Sequence, residues 1–269
     1  MKHLILLIFL LPVLAVSVIG QEIDTQTLRC QYKLTYVEDS LHPQDVSVDL
    51  MVLEQGKRCS KFYSYYAHVR DSVSKADIKA GLSPMERVTN LKKLGIRGTD
   101  VVIYKNYPVG KITTVNKIAR DYYCFDEPLD VPQWEVKAEY DSILSYRCQK
   151  AVCTFLGRTY VAWFAPGVPV NGGPWCFSGL PGLILKVADT RNHYIFQCVG
   201  IQAFSSPITF VQQKWFKVSK KEHGKVLRRH YSDVLSSFAE SYGVTISMTD
   251  ETGNAFKPEL PYNPIDLTQ

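Results

Sequence analysis

A mainly β fold is what this sequence predicts: one large curved antiparallel sheet, or half-barrel, with two helices. Three observations carry the expectation. Short runs rich in Val, Ile, Tyr and Phe alternate their side chains along most of the chain. Turn residues break these runs at short intervals, so that consecutive runs read as hairpins. Several runs are apolar on both faces, and such a sheet needs cover on both sides.

The chain opens on MKHLILLIFLLPVLAVSVIGQ, in which one cation, Lys2, precedes a long apolar run and Val18 and Gly20 suit a cleavage site. Residues 1–20 therefore read as a secretory signal peptide, and 21–269 as a single domain with no later span apolar enough to cross a bilayer. Without Lys2 the 31 Lys and Arg become 30, against 26 Asp and Glu. That mild positive balance does not point to nucleic acid.

LRCQYKLTYVED, VSVDLMVLE and SKFYSYYAHVRDSV read as the first three strands. In the third, alternation puts Tyr63, Tyr65, Ala67 and Val69 on one face. DVVIYKN and GKITTVNKI flank a Tyr-Pro-Val-Gly turn. WEVKAEYD precedes LSYRCQKAVCTF, which pairs with TYVAWFA around Gly157 and Arg158. LILKVAD and YIFQCVGIQAF flank Thr-Arg-Asn-His. Ser83-Pro84-Met85-Glu86 is a capping box that opens a helix closed by Gly95. KKEHGKVLRRHYSDVLSSFAESYG reads as one amphipathic helix with Val226, Tyr231, Val234, Leu235 and Phe238 near one side. The proline-rich tail PELPYNPIDLTQ reads as extended.

Candidate chemistry is sparse. No cysteine spacing suggests a metal or a redox motif, and no cofactor is predicted. His223 and His230 are seven apart on a helix, about 10 Å, too far to share one ion. His68 reads as a structural strand residue and His193 as a turn residue. Asp126 and Glu127 precede Pro128 in a predicted loop, and adjacent carboxylates on extended chain point apart. Seven cysteines survive signal cleavage, an odd count in an oxidising compartment. Cys153 and Cys176 are the expected disulfide, pinning the loop before the Gly179 turn to the sheet.

That turn is Leu180-Pro181-Gly182-Leu183, with proline and glycine at the central positions of a type II turn. An apolar strand follows at once. A phosphate loop would lead into a helix, and a nucleophile elbow would need glycine where Cys176 stands. The expected role is structural.

Gly179-Leu180-Pro181-Gly182-Leu183-Ile184 resembles the signature of the GLPGLI family of secreted bacterial proteins. The similarity extends along WEVKAEYDSILSYRCQKAVCTFLGRTYVAWFAPGVPVNGGPWCFSGLPGLILKVAD, and to SKFYS, KNYPVGKIT and PYNPIDL. Cys176 departs from the family pattern. The resemblance implies a Gram-negative envelope protein, periplasmic or extracellular, without a defined reaction, and an association with TonB-dependent outer-membrane transporters.

Two functions follow as expectations. The first is a non-catalytic carrier of an apolar or peptidic ligand, its concave face lined by Tyr63, Tyr65, Tyr160, Trp163 and Phe164. The second is an accessory module of a transporter or envelope complex that docks through the basic stretch Lys214–Arg229 and the tail. An enzyme ranks third, for want of a base or nucleophile with a partner.

Overall fold

The computed structural model of the chain describes residues 20–210, 213–249, 251–256 and 258–268. The predicted signal peptide lies outside them except for Gly20. The first strand, β1 (Gln21–Val37), is the longest and organises the rest. It is followed by β2 (Val46–Gly56), β3 (Ser60–Ser64), helices α1 (Tyr65–Lys79) and α2 (Pro84–Lys93), β4 (Val101–Lys105), β5 (Lys111–Ile118) and β6 (Asp121–Pro128). Then come β7 (Glu135–Ile143), β8 (Tyr146–Phe155), β9 (Arg158–Ala165), β10 (Leu183–Asp189), β11 (Tyr194–Ala203), β12 (Pro207–Phe210) and β13 (Phe216–Lys217). Helices α3 (Lys220–Ser232) and α4 (Val234–Tyr242) and a small hairpin, β14 (Met248–Thr249) with β15 (Ala255–Phe256), complete the chain.

Thirteen strands form one mixed sheet in the order β13-β6-β5-β4-β3-β2-β1-β11-β10-β9-β8-β7, with β12 alongside β1. The path ends at β13 and β7, so the sheet stays open. Every pairing is antiparallel except the short β6–β13 pair. The mainly β expectation therefore holds. Among the described residues no helix is long and apolar enough to cross a membrane.

Alternation places two cores on the two faces of the sheet. The larger gathers Phe62, Ile103 and Ile112 from one wing with Tyr160, Phe164 and Phe196 from the other. A single cluster that joins both wings requires the sheet to wrap around it. The smaller takes the opposite parity, Tyr104 and Val115 with Ile208 of β12, and Trp215 packs against it.

Several local expectations are corrected. The third predicted strand stops at Ser64, whose hydroxyl accepts the Ala67 N–H at 3.0 Å and caps α1. Tyr65, Ala67, His68 and Val69 are therefore helical. Asp126 and Glu127 lie on β6, not in a loop. The β8–β9 turn residues are Leu156 and Gly157, with φ of 48° and 82°, and Arg158 already belongs to β9. The predicted C-terminal helix is two helices. The chain breaks at Asp233, whose carboxylate then accepts the Ser236 N–H to start α4. The capping box at Ser83 and Glu86 is formed as expected, and Ser219 with Glu222 makes a second one on α3.

Candidate functional site

The inner face of the sheet, α3 and the C-terminal tail enclose a cavity of about 410 Å3. The sheet contributes, among others, Leu34, Met51, Phe62, Ile103, Ile112 and Phe125, one from each of β1 to β6. Helix α3 contributes His223, Leu227 and Tyr231, whose spacing of four stacks them on one face. The tail, Leu260–Asp266, lines the cavity as well. Polar groups are set among these apolar ones, including the charged Glu38, Arg97, Asp100, Lys117, Glu127 and Asp266. His223 is 3% exposed, and its Nε2 lies 3.0 Å from the Asn116 amide nitrogen. Its ring lies 4.7 Å from that of Phe125, tilted by 37°. Burial among apolar groups pushes its pKa down to about 4, so the imidazole is neutral at pH 7. Its Nδ1 is buried without a hydrogen-bond partner among the described residues.

At one end of the cavity Lys220 donates to Glu127 at 2.7 Å and to Asp266 at 2.8 Å. Burial raises the Asp266 pKa, but the bonds from Lys220 and Thr268 outweigh it and hold the carboxyl below its usual range. Asp126, on the opposite face of β6, takes Lys217 and Thr113 instead. The two adjacent carboxylates thus point apart, as extended backbone demands.

The five aromatics expected to line the concavity do not line it. Tyr160 and Phe164 are 0% and 1% exposed and belong to the packed core, Tyr160 lying 4.8 Å from the Phe177 ring. Trp163, one residue out of phase with Phe164, takes the other side of β9. Tyr63 likewise faces away from Phe62; its hydroxyl donates to Glu54 at 3.0 Å and its ring meets His68. Tyr65 sits on α1, 42% exposed. Alternation separates two faces but does not say which one borders the cavity when both are apolar. The α3 residues were legible as an i, i+4, i+8 series, which the expected Val226–Phe238 face obscured.

The expected Cys153–Cys176 disulfide is not formed, and both are buried free thiols. They occupy different surroundings. Cys176 borders the cavity within the fields of Glu127 and Lys105, whereas only burial acts on Cys153. Burial pushes each pKa up to about 12, so neither supplies a thiolate at neutral pH.

The Gly179–Ile184 signature is structural, with one change of geometry. The Gly182 N–H bonds the Leu180 carbonyl at 2.8 Å across Pro181, a tighter turn than type II. Gly182 takes φ of 152°, and a Cβ there would stand 2.3 Å from the Ala165 carbonyl oxygen. Leu180, Leu183 and Ile184 are then fully buried. The preceding loop is tied down by Lys105, which donates to the Gly173 and Phe177 carbonyls at 2.7 and 2.9 Å, and by Trp134 Nε1, which donates to the Ser178 carbonyl at 2.8 Å.

Residues 156–186, from the β8–β9 turn through most of β10, match a family described as a protein of unknown function (Porph_ging). No curated protein matches the chain. Two solved structures of PNGF-II, in space groups P21 and C2, are similar to it at 13% and 14% identity, with TM-scores of 0.49 and 0.45. Each match covers 74% of this chain and 32% of the other, so the chain spans about a third of the solved chains it resembles.

Proposed function

We propose that this chain is an exported, non-catalytic envelope protein of the GLPGLI type that binds an apolar or peptidic ligand in the cavity between its sheet and α3. One observation carries the reading. A space of about 410 Å3, its wall more apolar than polar, is kept open inside a core that elsewhere packs Tyr160, Phe164 and Phe177 to complete burial. Ligand pockets of small molecules run from about 300 to 1,000 Å3 and pair an apolar wall with a few polar groups. Asn116, His223 and Thr114 are such groups here. His223 faces an amide and an aromatic ring, a setting that supports orientation of a ligand over proton transfer. The resemblance of Gly179–Ile184 to the family signature supports the family placement, and the apolar run at the start of the chain supports export.

The test is native mass spectrometry of the protein purified gently from the envelope, beside its denatured mass. A discrete extra mass lost on denaturation is the expected result. A bare chain that also takes up no apolar dye sinks the reading.

A second reading, an accessory partner of an outer-membrane transporter, draws support from the outer side of α3. There Lys221 and Lys225 are exposed near exposed Phe216 and Lys217 of β13. Reversing Lys221 and Lys225 to Glu should abolish in-cell cross-links to such a partner while sparing the cavity.

A further inference from the structure

The tail segment that lines the cavity is bound as a peptide ligand is bound. Leu260–Leu267 has no strand partner and no helix, yet it is held along its length. Arg158 donates from Nε to the Ile265 carbonyl at 3.1 Å and from one terminal nitrogen to the Pro264 carbonyl at 2.7 Å and to Asn263 Oδ1 at 2.8 Å. Its other terminal nitrogen holds Asp189 at 3.3 Å. Tyr194 donates its hydroxyl to the Asn263 carbonyl, and the Asn263 amide donates to the Val37 carbonyl at 2.8 Å. The Leu260 and Leu267 N–H groups reach the Tyr231 and Leu156 carbonyls.

Most of these bonds read the main chain, while Asn263 and Asp266 supply the side-chain specificity. Pro258, Pro261 and Pro264 stiffen the segment in an extended form, which lowers the entropy lost on docking. Recognition of proline-rich peptides elsewhere uses the same economy. Part of the seat is held by bonds that do not involve the tail: Asp189 takes Arg158 at 3.3 Å and the Tyr194 N–H at 2.7 Å. An exposed turn, Glu251–Asn254, separates the segment from the helices.

We propose that Arg158, Asp189, Tyr194 and Lys220 form a peptide-binding site, filled in cis by the chain's own residues 260–267, and that this plug releases to uncover the cavity. The uncovering rests on the binding role proposed for the cavity; the peptide site does not. A chain whose open form is the minor population binds its ligand more weakly by that fraction.

The experiment places a site-specific protease sequence between Thr252 and Gly253, cuts the folded full chain, and strips the tail by gel filtration in mild urea followed by its removal. A labelled peptide of residues 258–269 is then titrated by fluorescence anisotropy, and an apolar fluorescent dye is mixed by stopped flow. Saturable binding of the peptide is expected, weakened about tenfold or more by Asn263→Ala in the peptide. Dye association should be about tenfold or more faster to the stripped chain than to the uncut one. A stripped chain that keeps its circular dichroism but ignores the peptide overturns the site. So does a tail that leaves only when the whole chain unfolds, since it is then part of the core. Peptide binding without dye uptake by the stripped chain keeps the peptide site and sinks the cavity's binding role instead.

Discussion

Two irregular segments cross the same core, and each is tied to it by one buried cation that donates to main-chain carbonyls. The loop before the signature turn is held by Lys105, the tail by Arg158. The surroundings of the two cations differ. Arg158 has Asp189 beside it, whereas Lys105 meets no carboxylate among the described residues, and burial lowers its pKa to about 8. The loop is also locked sterically, by Gly182 against the Ala165 carbonyl and by fully buried Leu180, Leu183 and Ile184. The tail has less such packing: among its described residues only Asp266 is buried, with Ile265 half-buried against the core. An ion pair carries a segment that can leave, and a lone cation suffices for one that cannot.

The sharpest test of that contrast is Arg158→Ala. It strands a buried Asp189 and should cost about 3–5 kcal/mol in urea unfolding while freeing the tail to protease. A loss below about 1 kcal/mol would break the comparison. Gly182→Ala should cost about 3 kcal/mol or more through its collision with backbone, and leave the tail protected. The third prediction concerns α3, which the tail covers. The folded pKa of His223 is lowered from 6.5 to about 4, so its stabilising contribution is present above pH 6.5 and is lost as pH falls toward 4. The loss amounts to roughly 3 kcal/mol. Unfolding curves at pH 7 and pH 4.5 should show it, and His223→Gln should flatten the difference. Lys105→Met has the smallest effect at pH 7, about 1–2 kcal/mol, because the lost bonds are offset by removal of a buried charge. The same sign rule makes the wild type's advantage grow as pH rises from about 8 toward 10.5, by about 1.4 kcal/mol per unit.

The hairpins and the signature turn were legible because alternation and turn chemistry are local. Alternating Tyr63–Val69 misled for the same reason: aromatic residues favour strands until a serine caps the chain into α1. DYYCFDEP, which forms β6, carries acidic residues and a proline that hide a strand. The cavity was foreseen as a concavity, but its lining was assigned to the wrong aromatics, since Phe177 and its loop fill the space beneath Tyr160. The tail carries no periodicity at all. Its place is set by Arg158, 105 residues earlier in sequence from Asn263, and no local pattern reports such a bond.

The seam between β1 and β11 sets the order of events in time. Its register runs from Leu28↔Ala203 to Tyr36↔Tyr194, so β1 waits for a strand that follows nine others in the chain. Until then β1 can pair only with β2, and its other edge stays bare. Closing so long a chain costs entropy before any bond repays it, which places folding in the slow, millisecond-to-second regime of β-rich topologies. A bare edge of that length recruits other chains. Whatever receives this protein as it emerges must therefore shield residues 28–36 until residue 203 has arrived.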